Sequence, residues 1–184
     1  MRWLIRIVVA VIALVAILAL VGIVFLPRQI AVSRSVEIEA EPAVVWPLIS
    51  DLRQFNEWSA WAAIDPAGTT YVFEGPETGV GQTMHWSSEH PNVGSGTQEV
   101  VSIDPGRSIE TRLDFGEMGR AEAALTVITN GKGSEVVWGF TTDLGMNPIA
   151  RWFGLMFDTW VGNDYEKGLE NLKALAEAQA SRSG

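Results

Sequence analysis

The C-terminal segment, residues 147–180, predicts one long amphipathic helix, and this helix limits what the rest of the chain can fold into. Asn147 is a suitable N-cap residue, and Pro148 follows it at the first helical position. Apolar side chains then recur at steps of three and four residues, at Ile149, Trp152, Phe153, Met156, Phe157, Trp160, Val161, Tyr165, Leu169, Leu172 and Ala176. A one-sided helix of roughly 45–50 Å must cover an apolar surface, which the preceding residues have to supply.

The preceding residues predict a sheet of seven strands. A β-branched run from Ile30 to Ala40 predicts the first strand, and a short helix follows over Pro42–Ser50. Glycine-rich turns separate six further alternating segments: Thr69–Glu74, Gln82–Ser87, Thr97–Ile103, Ser108–Phe115, Arg120–Thr129 and Glu135–Asp143. Because the connections are short, we expect an antiparallel meander. Inward positions such as Leu113 and Trp138 make one face apolar, and we expect the long helix to cover it.

The stretch from Asp51 to Trp61, on a short helix and loop, is dense in aromatic residues, with Phe55, Trp58 and Trp61 close together. One interpretation is a hydrophobic plug that packs on the core. The other is a wall or lid of an apolar cavity, since tryptophan supplies a large apolar area with one polar group. The residues of this stretch are compatible with both.

The N-terminus contains an apolar run that is long enough to cross a membrane. Ile7–Leu26 has twenty residues without a polar side chain, which at about 1.5 Å per residue matches the hydrocarbon thickness of about 30 Å. A buried core helix of this length would be unusual. A cleaved signal peptide is the main alternative, but its apolar region normally has about 7–15 residues. We therefore favour an uncleaved anchor over residues 1–28, followed by one domain over residues 29–184.

The charges that flank this run indicate its orientation. The α-amino group, Arg2 and Arg6 precede it, whereas Arg28 and Arg34 follow it. By the positive-inside rule, the difference of one charge favours a cytoplasmic N-terminus and an extracytoplasmic domain. The expected protein is therefore a single-pass membrane protein.

The charge balance and the cysteine count exclude several classes of function. The chain carries a net charge of −9, and residues 1–28 hold three arginines and no acid, so residues 29–184 carry −12. So acidic a domain is a poor candidate for binding nucleic acid, which requires neutralised phosphates. The sequence has no cysteine, which excludes disulfides, thiolate metal sites and a cysteine nucleophile.

No pattern in the sequence predicts a catalytic or metal site, and no cofactor is expected. His85 is predicted to point outward from its strand, and His90 lies five residues further on, a spacing that does not suit a helical metal pair. Gly94–Gly96 lacks the outer glycine of a nucleophile elbow. Glu110 and Asp114 alternate onto the solvated face of their strand.

The predicted order is one strand, two short helices, six strands and one long helix. Within this order lie the segments Ala40–Trp46, Trp58–Trp61, Gly79–Gly81, Val137–Phe140 and Gly168–Lys173. In both respects the chain resembles the START-like, helix-grip superfamily, also called SRPBCC, from about Ile30 to Glu177. It is most similar to the polyketide cyclase/dehydrase-like branch, which includes bacterial members with an N-terminal membrane anchor. The order and spacing are fairly specific for the fold, whereas no single segment is.

This resemblance implies an α+β helix-grip fold, in which a seven-stranded antiparallel curved sheet wraps on a long C-terminal helix with two short helices. It also implies a deep apolar cavity between helix and sheet, which members of the superfamily use for lipids, sterols, polyketides or plant hormones. The residues expected to bind such a ligand are Trp58, Trp61, Met84, Trp86, Leu113, Phe115, Trp138, Phe140, Phe153 and Phe157. The alternative is that these side chains fill a solid core.

Fold alone does not select one function on this scaffold. The first hypothesis is a membrane-tethered domain that binds a lipid or another hydrophobic small molecule. The second is an enzyme of the cyclase/dehydrase type, which requires an ionisable residue that faces the cavity. The third is a protein-interaction module of the same fold, which has a protein partner in place of a small molecule.

The two halves of the long helix predict different environments. From Tyr165 onward, one apolar stripe and a charged flank predict a purely structural role. From Ile149 to Val161, four aromatic residues are spread around much of the circumference, which is more apolar surface than one sheet contact can bury. We expect that half to face the cavity mouth or the membrane interface, where tryptophan is favoured.

A reporter fused to the C-terminus tests the predicted orientation. We expect a reporter that works only in the cytosol to give no signal, because the positive-inside rule places the domain on the other side of the membrane. A reporter that works only outside the cytosol is the matched control and should give full signal. A strong cytosolic signal from the full chain would contradict this orientation.

Overall fold

The computed structural model describes residues 2–183, which form five α-helices and seven β-strands. The helices are α1 (Arg2–Phe25), α2 (Pro42–Ser50), α3 (Leu52–Trp58), α4 (Pro148–Gly154) and α5 (Phe157–Ser183). The strands are β1 (Gln29–Ile38), β2 (Thr70–Glu74), β3 (Thr83–Ser87), β4 (Ser95–Asp104), β5 (Ser108–Asp114), β6 (Arg120–Asn130) and β7 (Gly133–Asp143).

All seven strands belong to one antiparallel sheet in the order β1-β7-β6-β5-β4-β3-β2. Strands β2 to β7 form the predicted meander. The first strand pairs with β7 and not with β2, its neighbour in the chain, in a register that runs from Gln29 opposite Asp143 to Ile38 opposite Ser134. Helices α2 and α3 lie in the connection from β1 to β2. The predicted α+β helix-grip fold is confirmed.

Helices α2 and α5 cover different parts of the apolar face of the sheet. α2 contacts β5, β6 and β7, and it buries Val45, Leu48 and Ile49. α5 contacts β1, β7, α2 and α3, and it buries a stripe that begins at Tyr165 and ends at Ala176. Helix α5 therefore covers a part of the apolar face that α2 does not contact.

Arg34 fastens α5 to the edge strand β1. Its Nε donates to Glu166 Oε1 at 2.6 Å, and its Nη1 donates to Asp158 Oδ1 at 3.0 Å. Gly162 lies between these two acids on α5, and a Cβ at this position would collide with the guanidinium of Arg34. The missing side chain at Gly162 thus lets Arg34 lie against the helix.

The C-terminal helix is not continuous, which corrects the prediction of one helix over residues 147–180. It is interrupted at Leu155 and Met156, between α4 and α5. No proline lies at the break. Instead, α4 packs on α1 whereas α5 packs on the sheet, so the two helices follow different surfaces. Asn147 caps α4 as predicted, since its Oδ1 accepts from two backbone N–H groups of the first turn.

Helix α1 is the one helix of residues 2–183 that is long and apolar enough to cross a membrane. Gly22 is its only buried residue, so the domain does not enclose the helix along its length. Three residues, Leu26 to Arg28, separate α1 from β1. Arg28 closes this short connection by pairing with Asp143, the last residue of β7, at 2.8 Å.

Candidate ligand-binding cavity

A cavity of about 440 Å³ lies between the apolar face of the sheet and the first half of α5. Sites for small molecules typically have volumes of about 300–1,000 Å³. Side chains from α3, α5 and strands β2 to β7 line this cavity, and α2 contributes none. The lining includes the exposed side chains of Met118 and Trp160. The cavity therefore reaches the surface between the β5–β6 turn and α5.

The cavity brings together eight of the residues predicted to bind a ligand: Trp61, Met84, Trp86, Leu113, Phe115, Trp138, Phe140 and Phe157. Trp58 is not among the lining residues. It is 1% exposed, and its Nε1 donates to Leu48 O at 2.9 Å, so it belongs to the core beneath α2. Phe153 is also outside the cavity, on α4, where 53% of it is exposed. Ligand binding by the other eight stays a prediction.

Trp138 is the centre of the aromatic wall. Its ring stacks on Tyr165 with centroids 3.7 Å apart and planes 12° apart. Three further aromatic rings, within residues 55–61, meet it edge to face at 5.1 to 5.8 Å. Such pairs contribute about 0.5–1.5 kcal/mol each beyond their buried area. A Cβ on Gly168 would come within 2.9 Å of Trp138 Cζ3, so this close approach of α5 depends on glycine.

Two small residues of β6 leave space beneath α5. Ala121 and Ala123 line the cavity, whereas Leu125 and Val127, further along the strand, are buried in the core. Strand alternation places all four on the same face. The change from alanine to larger side chains along β6 therefore marks the boundary between the cavity and the filled core.

Gln98 interrupts the apolar face from strand β4. It is buried and lines the cavity, and its Nε2 donates to Thr111 Oγ1 at 3.1 Å. Asn56 is a second amide in the lining, and its Nδ2 donates to Met84 Sδ at 3.3 Å. Both amide nitrogens are thus engaged, which leaves the carboxamide oxygens as acceptors for a polar group of a ligand.

Two polar side chains of α5 also line the cavity. Burial alone raises the pKa of Tyr165 above its ordinary value, and no hydrogen bond from the described residues opposes this rise. Partial burial raises the pKa of the Asp164 carboxyl, and a hydrogen bond from the side chain of Trp61 acts in the opposite direction. Both groups therefore favour their neutral forms more than they would in water.

The sequence-based prediction missed Gln98, Asp164 and Tyr165 as lining residues. Tyr165 was expected to be purely structural but lines the cavity, whereas Leu169, Leu172 and Ala176 after it are buried in the core as predicted. A signal was present for two of the missed residues. Gln98 alternates inward in β4. Asp164 follows Phe157 by seven residues, and this spacing places Asp164 and Phe157 on the same face of a helix. Polar residues at inward positions are the pattern that identifies them.

The outer face of the sheet carries charged pairs. His85 lies beside Glu74, with 3.4 Å between Nε2 and Oε2, and Arg112 pairs with Glu99 at 3.7 Å. Within residues 2–183, no group of three or more histidines and acids is arranged to hold a metal ion. None of these four side chains lines the cavity, whereas Arg120, at the start of β6, does and pairs with Asp114 at 2.7 Å.

The chain belongs to the polyketide cyclase/dehydrase and lipid transport family, whose model matches residues 29–177. A comparison with curated proteins by sequence found no match. The family assignment confirms the resemblance stated from the sequence. It supports a fold that serves hydrophobic ligands or cyclase chemistry.

Solved structures share the fold at low sequence identity. Ara h 8.0201 has a TM-score of 0.60 at 12% identity, over 82% of this chain and 99% of that chain. Norcoclaurine synthase from Thalictrum flavum, solved with a transition-state analogue, has a TM-score of 0.62 at 12% identity, over 82% of this chain and 96% of that chain. The di-domain ARO/CYC protein StfQ from the steffimycin biosynthetic pathway has a TM-score of 0.62 at 13% identity, over 83% of this chain and 52% of that chain. Such low identities show the fold alone.

Titration of the tyrosines tests the burial of the cavity wall. The chain has two tyrosines, Tyr71 and Tyr165, and burial raises the pKa of both. In the unfolded chain tyrosine loses its proton at about pH 10. Because folded Tyr165 keeps its proton there, the free energy of unfolding should fall as the pH rises above about 10. We expect phenolate absorbance to lag behind that of free tyrosine and then to rise with alkaline unfolding.

The variant Tyr165→Phe is the control for this titration. It should remove the part of the phenolate absorbance that appears on unfolding and should weaken the loss of stability at alkaline pH. A full phenolate signal with an ordinary midpoint, while circular dichroism still reports a folded protein, would show that the Tyr165 hydroxyl is not buried.

Proposed function

We propose that this protein is a membrane-tethered binding protein for a hydrophobic small molecule, such as a lipid or a polyketide-like compound. The observation that carries the proposal is the cavity of about 440 Å³ with an aromatic wall beneath α5. A ligand that buries apolar surface there gains about 25 cal/mol per Å². Gln98, Asp164 and Tyr165 would then meet the few polar atoms of the ligand and orient it.

The family description includes lipid transport beside cyclase and dehydrase activities, which supports a hydrophobic ligand. The residues proposed to contact it are the eight predicted residues of the cavity wall, together with the three polar side chains. Trp58 and Phe153 are not part of this proposal, because neither lines the cavity.

Helix α1 is the membrane tether in this proposal. Its apolar run, Ile7–Leu26, has the length of a bilayer span, and its side chains are exposed in the folded chain. The flanking arginines favour a cytoplasmic N-terminus and an extracytoplasmic cavity. A ligand-binding domain with a connection of three residues to its tether would work next to the bilayer surface.

Filling the cavity should abolish ligand binding. We expect Ala123→Phe to lower the affinity for palmitic acid by at least about tenfold, because the new ring occupies the space that the ligand needs. Native mass spectrometry of the full chain released from detergent measures the one-to-one adduct, including any lipid that co-purifies. Since the space is open, the variant should fold with a thermal midpoint close to that of the native chain.

Ala124→Phe is the matched control, because Ala124 lies next in the same strand and alternates to the opposite face. It should bind palmitic acid as the native chain does. Equal adducts in both variants would place the fatty acid outside the cavity. A native chain that carries neither a co-purified molecule nor added palmitic acid would contradict the proposal.

An enzyme of the cyclase/dehydrase type is the second candidate, and Asp164 is the observation that favours it. Its carboxyl lines the cavity, and burial raises its pKa. A carboxyl that keeps its proton to higher pH is suited to donate that proton to a substrate as a general acid. The hydrogen bond from Trp61 would orient it.

The variant Asp164→Asn distinguishes this candidate from simple binding. For an enzyme, we expect it to lower the turnover of an aromatic polyketide-like substrate by about 10²–10⁴-fold, since amide nitrogen cannot take the place of the acid. Glu170→Gln is the control, because Glu170 is exposed on the same helix, and it should keep full turnover. Unchanged turnover in Asp164→Asn would rule out this role.

A further inference from the structure

The surface of α4 and the start of α5 is apolar and exposed. Six side chains define this surface, named here the α4 patch: Met146, Ile149, Phe153, Leu155, Met156 and Trp160. They are between 45% and 66% exposed. Asp158 is the one exposed charged residue within residues 146–160, and Arg34 pairs with it. A contiguous apolar surface of this kind marks contact with a partner or a membrane.

Helix α4, which carries part of the α4 patch, is held against the apolar helix α1. Trp152 of α4 donates its indole N–H to Leu18 O at 3.0 Å. The two helices also approach closely at Gly22, since a Cβ there would lie 3.1 Å from Trp152 Nε1 and 3.2 Å from Pro148 Cβ. The position of α4 is therefore set by the last two turns of α1.

Arg151 is buried and donates hydrogen bonds to backbone carbonyl groups at the end of α1. It is 5% exposed and donates to Ile23 O at 2.5 Å and to Leu26 O at 3.3 Å. It also donates to Gly145 O at 2.7 Å. The last carbonyl groups of a helix lack intrahelical partners and carry the negative end of its dipole. The donors of Arg151 are thus satisfied by backbone carbonyl groups, and its buried side chain leaves no exposed charge on α4.

The contact also sets the depth of α4 in a membrane that α1 spans. Leu18 precedes Leu26, the end of the apolar run, by eight residues, which is about 12 Å along a helix. With Ile7–Leu26 in the hydrocarbon core, Trp152 reaches on the order of 10 Å below the edge of that core. Interfacial helices bury their apolar faces to about 5–10 Å, so the α4 patch lies at membrane depth.

We propose that the α4 patch inserts into the bilayer leaflet around the end of α1, so that lipid is the partner that covers it. This proposal rests on the membrane anchoring of α1 proposed above, and it does not depend on the identity of the cavity ligand. Residues 29–184 carry −12, so apolar contact drives the insertion and attraction to anionic headgroups does not.

Insertion of the patch turns the mouth of the cavity toward lipid. Trp160 belongs to both surfaces, because it is an exposed member of the patch and lines the cavity. Its ring lies 6.4 Å from that of Phe153. Leu144 also lines the cavity and lies against Gly154 at the end of α4. A hydrophobic ligand would therefore pass between bilayer and cavity without crossing water.

Spin labels on the full chain test this insertion, and the absence of native cysteine makes single-cysteine labelling specific. Ile149→Cys and Met156→Cys place labels in the patch. Val15→Cys reports on the middle of α1. Ile128→Cys is the water-facing control, because Ile128 on β6 is 48% exposed, close to the 46% of Met156. Electron paramagnetic resonance in phosphatidylcholine nanodiscs then compares collisions with oxygen, which concentrates in lipid, and with a water-soluble nickel chelate.

We expect the labels at positions 149 and 156 to resemble the label at 15, with more oxygen and fewer nickel collisions than the label at 128. Added salt or anionic lipid should not change this ratio. If the labels at 149 and 156 show the same oxygen and nickel collisions as the label at 128, the insertion of the α4 patch is overturned. The membrane anchoring of α1 still holds in that case, provided that the label at 15 faces lipid. Dipolar broadening that disappears on dilution with unlabelled chain would assign the patch to a second copy and also overturn its insertion.

A label at position 15 that collides freely with nickel would overturn both the anchor and the insertion of the patch. Binding of palmitic acid to the cavity would be unaffected by that result, because the Ala123 and Ala124 variants measure it independently. Ligand binding in the cavity and membrane insertion of the α4 patch are therefore tested by different observations.

Discussion

The stacked contact between Trp138 on β7 and Tyr165 on α5 sets the distance between the sheet and the terminal helix. The rings lie 3.7 Å apart, and Gly168 lets the helix backbone approach the indole. Where α2 lies on the sheet, large aliphatic side chains fill the space. Beyond α2, the sheet presents Ala121 and Ala123, so the same spacing leaves a cavity. The cavity therefore results from a distance that Trp138 and Tyr165 set within its own wall.

The polar groups of the cavity argue for a binding site over a packing defect. A polar group in an apolar wall loses hydration, which costs free energy, and phenylalanine in place of Tyr165 would keep the ring stack without this cost. Gln98 likewise interrupts a face where an aliphatic residue would pack well. Such costs are offset when a ligand or an ordered water supplies the missing hydrogen bonds. The cavity wall thus combines an apolar surface with a few oriented acceptors and donors.

The fold and eight residues of the cavity wall could be predicted because strand alternation and helix periodicity are local properties. Met84 and Trp138 were assigned inward by counting along their strands, and both line the cavity. Trp58 lies in the core and not in the cavity wall, and the sequence left both placements open because whether an inward ring meets a void or α2 depends on packing between distant segments. The break before α5 was missed for a similar reason. It follows from contacts of α4 with α1, more than a hundred residues earlier in the chain, which no local pattern records.

Arg151 makes the N-terminal helix part of the structure of the cavity mouth. Its guanidinium joins Ile23 O and Leu26 O to Gly145 O, so the end of α1, the β7–α4 loop and α4 are held together. Leu144, in that loop, lines the cavity. In the proposed membrane arrangement, a tilt of α1 would be transmitted to the loop and to α4, because the hydrogen bonds and the close packing at Gly22 leave little room between them. The proposed orientation of the mouth relative to lipid thus depends on Arg151 together with these packing contacts.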